Sequence, residues 1–552
     1  MMEEDPVMDS VMDSVLVTAA EMQAIEQGWF DRGMPVAALM EKAATAIAQW
    51  IIERVGDATG VKSRGILVLA GPGHNGGDAL VVARELWLRG YTIALYQPFT
   101  RLKPLTQQHA QFADYLKLPR VTSLADLDRC INQSVAIVDG WFGFGQTRAV
   151  TGELATAIER INQAETSQVL RVAIDVPTGI HTDTGEVLRG ANPPVNVGLD
   201  SGSLTVGTAF RADVTLCLGL RKLGLLCDAA QPYVGRVELL PFGVRSEDIA
   251  AVFPDGLPQR RYTRRAAIAA LGLPRSPLTH KYKEGHLLLI CGSQLYIGAA
   301  ILAGLGARAS GVGMLSIVVP RSLKPIVAAQ LPEAVVLAAD ETETGAIAAL
   351  PHDFNNETIW AKFDAIACGC GLTPEPTRLI QQLIVQNRPL ILDADALNIL
   401  ATLPPTFLTR AAPTILTPHP GEFRRLFGHR SDHTPIDLIR NAAQQRHLII
   451  VHKGARPIIA APDRPMTLID VGTPGLARGG SGDVLTGLMG GLVATTMRQD
   501  RDLLETVAAA TWWHAEGGRQ AAQARSQLGV DGTTLAEFIN RAIAQSLADT
   551  QR

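Results

Sequence analysis

Apolar residues fall into two rhythms along this chain. Leu39, Ala43, Ile47 and Trp50 recur at three- and four-residue steps, and the helical pattern they belong to runs from Glu21 to Trp50. By contrast, Gly65-Ile-Leu-Val-Leu-Ala70 is an unbroken apolar run, the signature of a strand buried on both faces of a parallel sheet. A glycine-rich turn, Gly71-Pro-Gly-His-Asn-Gly-Gly-Asp78, follows it, and a helical stretch then covers 79–88. Two further runs end on acids: 135–139 finishes at Asp139, and 172–177 places Asp175 just before Thr178-Gly179. The same alternation restarts at 286–290, which leads into Cys291-Gly-Ser293 and a small-residue helix over 298–310. More strands are predicted at 314–319, 363–367, 389–392, 415–416 and 448–451. Several end in chemistry-bearing residues: Gly369-Cys-Gly371, Asp393-Ala-Asp395 with Asn398, Thr417-Pro-His-Pro-Gly-Glu422, and His452-Lys-Gly-Ala-Arg456. Next comes Gly479-Gly-Ser-Gly-Asp483 at the head of an apolar helix, and a long helix over 503–521 is expected to close the domain. Strands alternating with helices predict two α/β domains. Between them, 253–262 is polar and punctuated by Pro and Gly, as a linker would be. The arginine pairs at 260–261 and 264–265 are expected to form a solvated face.

Composition narrows the class. At 552 residues the chain exceeds one ordinary core, and 47% hydrophobic residues suffice for two. Net charge is 50 − 54 = −4, so no broad basic face points to nucleic acid or an anionic membrane. No apolar run is long enough and glycine-free enough to cross a membrane. Six unpatterned cysteines fit a reducing, cytoplasmic setting, and Cys368 and Cys370 read as small residues at a strand end. The acidic start lacks the features of a secretory signal. Its Val-Met-Asp-Ser duplication, within 1–14, is expected to be a dispensable extension.

Ligands of parallel sheets sit beyond the carboxyl ends of the strands. Asn75, Asp139 and Thr178 would converge there as oxygen donors suited to a hard cation, and Asp175 could titrate or hold a hydroxyl. The 71–78 turn is neither G-x-G-x-x-G nor a lysine-bearing Walker loop, so a nucleotide site and a plain strand–helix turn both fit it. Around Gly479–Asp483, glycines admit a phosphate to a helix N-terminus and the acid could serve as a base; an ordinary helix cap fits the pentapeptide equally well. Two prolines fix His419 at a strand end, and Lys453-Gly454 could meet phosphate or ribose.

Leu39-Met-Glu41, Asn75-Gly-Gly-Asp78, Asp139 with Gly143-Phe-Gly145, Ile174-Asp-Val-Pro-Thr-Gly179 and Arg221-Lys-Leu-Gly224, taken in order, resemble the YjeF N-terminal domain, the NAD(P)HX epimerase. Leu392-Asp-Ala-Asp-Ala-Leu-Asn398, Leu416-Thr-Pro-His-Pro-Gly-Glu422, Lys453-Gly454 and Gly479–Asp483 resemble the YjeF C-terminal domain, the ribokinase-like NAD(P)HX dehydratase. The resemblance implies an N-terminal Rossmann-like three-layer α/β/α domain over 15–245, a linker over 246–274 and a C-terminal ribokinase-like α/β domain over 275–552. It implies that His74, Asn75, Gly76, Gly77, Asp78, Gly143, Phe144, Gly145, Gln146, Thr147, Arg148, Ala149 and Asp175 hold the hydrated nucleotide, with Asp175 handling protons. Asn75, Asp139 and Thr178 would ligate potassium. In the second domain Ala299, Gly371, His419 and Asp483 would hold the substrate, with Asp483 catalytic. Lys453, Gly454, Ala455, Arg456, Gly479, Gly480, Ser481 and Gly482 would hold ADP, with Mg2+. The family pattern is broken by His74, by Tyr296-Ile297, by Cys370 and by Arg478, whose charge is expected near the phosphates. The partners implied are NADHX or NADPHX and ADP, in a homo-oligomer without nucleic acid or membrane. The competing enzyme class is a small-metabolite kinase of ribokinase-like type with a regulatory N-terminal domain; a non-catalytic nucleotide-binding scaffold is the other.

Overall fold

The computed structural model describes residues 11–56, 58–164, 169–189, 207–404, 410–428 and 434–550. The chain divides into two compact units, Val11–Leu257 and Pro258–Arg552.

The first unit is built on a six-stranded sheet whose strands all run parallel. Across the sheet they lie in the order Ile93–Tyr96, Ile66–Ala70, Ala136–Gly140, Leu170–Ile174, Val214–Leu218 and Arg236–Leu240. Successive residues of a strand point to opposite faces, so the apolar run at 66–70 serves two cores. Ile66, Val68 and Ala70 join Ala43, Ile47 and Leu80 on one side. Leu67 and Leu69 join Ile131, Ile158 and Ile161 on the other, which makes three layers. Chain direction across the sheet reverses between Ile66–Ala70 and Ala136–Gly140, and in doubly wound sheets ligands bind at that crevice.

The single helical pattern expected over 21–50 is two helices, Ala19–Asp31 and Val36–Val55. Gly33 turns the chain at φ +95°, and Pro35 caps the second helix, so local breakers override a periodicity that runs through them. The expected 74–78 loop is instead the start of helix His74–Leu88, and only Gly71-Pro-Gly73 forms the turn. The first Val-Met-Asp-Ser copy lies outside the described residues. The second is a short helix, Val11–Ser14, whose Asp13 accepts a 3.0 Å bond from the largely buried Arg221. Leu16–Val17 then pairs with Arg221–Lys222, which gives this end of the extension a structural role.

The second unit carries an eleven-stranded sheet, with His286–Ile290 between Met314–Pro320 and Ala365–Cys368. From Val335–Glu341 across to Ile449–His452 the strands are parallel. A hairpin, Ile458–Ala460 and Met466–Leu468, extends that edge, and Gln259–Arg261 pairs outside it. Residues of the expected linker and solvated arginine face are therefore structured. Arg260 pairs with Glu505, Arg261 with Asp470 at 2.6 Å, and Arg264 with Asp549 at 2.5 Å. Helix Leu503–Arg525 is not the closing element; Gly532–Thr550 follows and packs closely on it, a Cβ on Gly517 falling 2.6 Å from Ile539 Cγ1.

Candidate active sites

In the first unit the crevice is narrow because glycines line it. A Cβ on Gly71 would stand 1.7 Å from the Trp141 carbonyl oxygen, and one on Gly76 would stand 1.9 Å from that of Gly71. Asp139, fully buried at the end of its strand, accepts bonds from Thr178 N at 2.8 Å and Thr178 Oγ1 at 2.7 Å. Burial drives its pKa up to about 6 against these bonds. Asn75 sits across Gly140: a Cβ there would be 3.1 Å from the Asn75 carbonyl, and the buried Asn75 Nδ2 makes no hydrogen bond. The 143–149 loop is tethered to the segment after Asp175. Gln146 Oε1 accepts from Gly179 N at 2.8 Å, and Thr182 donates to the Phe144 carbonyl at 2.8 Å.

Asp175 stands just past its strand at φ +68°, a left-handed conformation that Asp adopts at some cost and that clusters at functional sites. Its N–H donates to Leu216 O at 2.9 Å, and Oδ1 accepts from Leu218 N at 3.2 Å and from Lys222 Nζ at 2.5 Å. Glu26 and Asp78 complete an acidic surround. Burial lifts Glu26 to about 7, opposed by Lys222 and aided by Asp175. Burial also lifts Asp78 well above the usual carboxylate range, with Asp175 and Glu26 adding to it.

In the second unit the site forms around the first turn of helix Ser481–Gln499. Gly480 precedes it at φ +91°, where a Cβ would meet Leu302 at 2.5 Å. Asp483 lies in that turn. Burial raises its pKa to about 6, countered by a hydrogen bond with Cys370 and by Lys453 while Asp393 adds to the rise. Lys453 Nζ donates to Asp393 Oδ1 at 2.6 Å, and Thr486 Oγ1 donates to Asp393 Oδ2 at 2.7 Å. Burial alone would lower the Lys453 pKa, but Asp393 outweighs it and holds the ammonium charged. A Cβ on Gly482 would lie 3.6 Å from Asp393 Oδ2 and 3.7 Å from Lys453 Nζ, so the helix backbone stands directly over that pair. The helix is locked against Ile297–Ala309 at backbone contact: a Cβ on Gly487 would be 1.8 Å from Ala303 O, and one on Gly306 would be 2.1 Å from Val484 O. Ala299 on that second helix meets Gly371, whose Cβ would fall 2.8 Å from Ala299 Cβ. Behind the phosphate-loop candidate, His514 Nε2 lies 2.9 Å from the Ser481 carbonyl. A carbonyl only accepts, so Nε2 carries the proton; burial lowers the pKa of this ring to about 4 and keeps it neutral.

The family described as YjeF-related protein N-terminus matches residues 36–224, and that described as NAD(P)H-hydrate dehydratase matches 287–541. The bifunctional NAD(P)H-hydrate repair enzyme Nnr of Thermosynechococcus vestitus is 46% identical over 97% of this chain and 98% of its own. The protein of that name from Synechocystis sp. is 44% identical over 96% and 95%. The chain belongs to the bifunctional NAD(P)H-hydrate repair enzyme family. Among solved structures, an ADP/ATP-dependent NAD(P)H-hydrate dehydratase from Bacillus subtilis, co-crystallised with ATP/Mg2+, is 30% identical. It covers 52% of this chain and 98% of its own, with a TM-score of 0.43.

Placed on the structure, the family's expected residues separate into groups. Asp139 and Thr178 bond to one another, while Asn75 lies beside Gly140 and Gly143. Ala299 meets Gly371, and Gly482, Lys453 and Asp393 meet. His419 is half exposed and caps helix Pro420–Phe427, its Nδ1 accepting from Gly421 N at 3.0 Å, so its ring serves the fold at that nitrogen. Arg478 departs from its expected place: its guanidinium donates to the carbonyls of Leu528 and Val530 at 3.2 and 3.0 Å. Lys222, Asp393, Cys370, Thr486 and His514 are site neighbours that pattern reading did not single out as site residues. Lys222 and His514 had a signal, each being a polar residue inside an apolar stretch (214–227 and 507–515). Thr486 had none.

Proposed function

We propose that the chain repairs hydrated nicotinamide nucleotides, the second unit dehydrating S-NAD(P)HX to NAD(P)H with ADP and the first interconverting the R and S epimers. The observation that carries this reading is Asp483 in the opening turn of a glycine-led helix, facing the Asp393–Lys453 pair. A base at a helix N-terminus is what transfer of a phosphoryl group to a hydroxyl needs. The substrate hydroxyl gives its proton to Asp483 as its oxygen bonds the β-phosphorus of ADP, and AMP leaves. The ring-nitrogen lone pair then forms a C=N bond as the C–O bond breaks and phosphate leaves, and loss of a proton from the adjacent ring carbon restores the dihydronicotinamide. Backbone N–H groups at the head of this helix, around Gly480 and Gly482, stabilise the charge that develops, and Mg2+ arriving with the nucleotide would neutralise part of it. Gly479 and 453–456 line the nucleotide side in this reading. On the substrate side stand Ala299, Gly371 and His419, whose Nε2 lies 3.4 Å from Glu422 Oε1.

In the first unit, 74–78 and 143–149 hold the hydrated nucleotide beside Asp175. Potassium fits between them: Asp139 is a buried carboxylate with no cationic side chain against it among the described residues, and Asn75 has an amide without a protein partner. Asn75, Asp139 and Thr178 would hold the ion, which supplies compensating charge and rigidity. No helix is long and apolar enough to cross a membrane among the described residues, and the reading sets the enzyme in the cytoplasm as a homo-oligomer.

Incubating mixed epimers of hydrated NADH with enzyme, with and without ADP, tests both halves. Full recovery of reduced-nicotinamide absorbance with ADP, and none without it, is the expected result. Recovery of the S fraction alone would remove the epimerase half. A stable phosphorylated product would indicate a small-metabolite kinase.

A further inference from the structure

Lys222 is a fully buried cation in the first unit that the chemistry above leaves unused. Its Nζ donates to Asp175 Oδ1 at 2.5 Å and to the Leu218 carbonyl at 2.7 Å, and it lies 5.5 Å from the Phe144 ring centroid in the 143–149 loop. Strand Arg221–Lys222 fixes its backbone by pairing in register with Leu16–Val17. Every hydrogen bond to the Asp175 carboxylate among the described residues goes to Oδ1, from Lys222 and from Leu218 N. The second oxygen, Oδ2, is left for a ligand.

The groups facing this pair come from four elements. Glu26 stands on helix Ala19–Asp31, Asp78 on helix His74–Leu88, Cys217 on strand Val214–Leu218, and Phe144 in its loop. Two further carboxyls therefore stand beside Asp175, and Lys222 is the cation bonded to it. A buried charge is kept only where a partner compensates it, and here the compensation falls on the one acid placed to handle protons.

We infer that Lys222 is the positioning residue of the epimerase site, holding Asp175 Oδ1 so that Oδ2 is the oxygen presented to the substrate hydroxyl as a base. This rests on the epimerase reading of the first unit. Water adds across an enamine, so the hydroxyl sits on the carbon next to the ring nitrogen. Oδ2 takes the proton of that hydroxyl as the oxygen forms a C=O bond and the bond from the same carbon to the ring nitrogen breaks, its electron pair passing to nitrogen and on into the conjugated carboxamide. After the freed aldehyde turns, nitrogen bonds its opposite face, the C=O electrons return to oxygen, and that oxygen takes the proton back from Oδ2. Each cycle returns Asp175 to its starting state, and Lys222 keeps its own proton throughout.

The test is the pH profile of kcat/KM for conversion of R-NADHX to S-NADHX, read by chromatographic separation of the epimers in the full chain. Lys222→Met is expected to move the acid limb upward by about 1–3 pH units, the range for removing an adjacent opposite charge. It should therefore be about 10- to 1,000-fold slower at pH values below the wild-type limb and recover above the shifted one. Lys222→Arg should hold the limb near its wild-type place. Lys222→Gln, polar but uncharged, should move it upward as methionine does. ADP-driven dehydration of S-NADHX should be unchanged in all three, which reports an intact second unit, and thermal melting reports the first. A Lys222→Met enzyme slowed equally at every pH would make the ion pair merely structural and overturn the inference. Should Lys222→Met fail to fold, Lys222→Gln decides: a limb that stays at its wild-type place overturns it too. A wild-type enzyme that interconverts no epimers would bring down the epimerase reading itself.

Discussion

Replacing Asp483 with asparagine preserves side-chain size and removes the form that can accept a proton. The carboxyl is desolvated and pushed up to about 6, so it is ionised in most molecules at pH 7 while remaining basic enough to take a hydroxyl proton. A positioned base contributes about 10²–10⁴ in rate, or about 3–5 kcal/mol of barrier. Asp483→Asn and Asp483→Ala are therefore expected to slow ADP-driven dehydration at least about a hundredfold. Sign follows from the base's role: the wild-type rate should fall about tenfold per pH unit below pH 6 and level off above it, and the asparagine enzyme should lose that limb. Purified S-NADHX with saturating ADP is the assay, read as return of reduced-nicotinamide absorbance, with epimerisation in the same samples as the control that should not change. An asparagine variant of near wild-type rate, or one that keeps the acid limb, would refute the reasoning.

His514 titrates in the folded chain near 4 against an ordinary 6.5, because it is buried without a compensating acid. The unfolded state thus binds the extra proton, so the stabilisation is complete above about pH 6.5 and is lost as pH falls towards 4. That amounts to about 3 kcal/mol at about 1.4 kcal/mol per unit, visible as a falling denaturant midpoint that His514→Gln should flatten. Gly487→Ala would drive a Cβ into the Ala303 carbonyl and should cost about 1–3 kcal/mol in thermal melts while lowering the dehydration rate, because the displaced helix carries Asp483. Melting the first unit in potassium and in a bulky organic cation of equal ionic strength should show stabilisation by potassium alone. Equal melts would remove the ion from the Asn75, Asp139 and Thr178 site.

What a residue does here depends on whether its cue is local. Unbroken apolar runs such as 66–70 and 286–290 demand burial on both faces, so their place in parallel sheets follows from the sequence by itself. Parallel strands bring their carboxyl ends to one edge, so the place of Asp139 and Asp175 at that edge was legible from order alone. The start of helix His74–Leu88 and the break at Gly33–Pro35 were not, because a helix's first turn has the same composition as a loop. Only the tertiary structure could decide the pairings. Lys222 reaches Asp175 across 47 residues, Lys453 reaches Asp393 across 60, and His514 reaches Ser481 across 33. None of these separations follows a helical or strand period, so no spacing in the chain encodes them. They exist because sheet order sets distant strand ends side by side, and because glycine-to-backbone contacts such as Gly487 on Ala303 hold the helix of Asp483 in one register. The chain alone therefore specified two α/β layers and a row of acids at strand ends. The desolvation that pushes Asp483 up to about 6, and the Asp175 carboxylate that keeps Lys222 charged against its burial, are properties of the packed molecule.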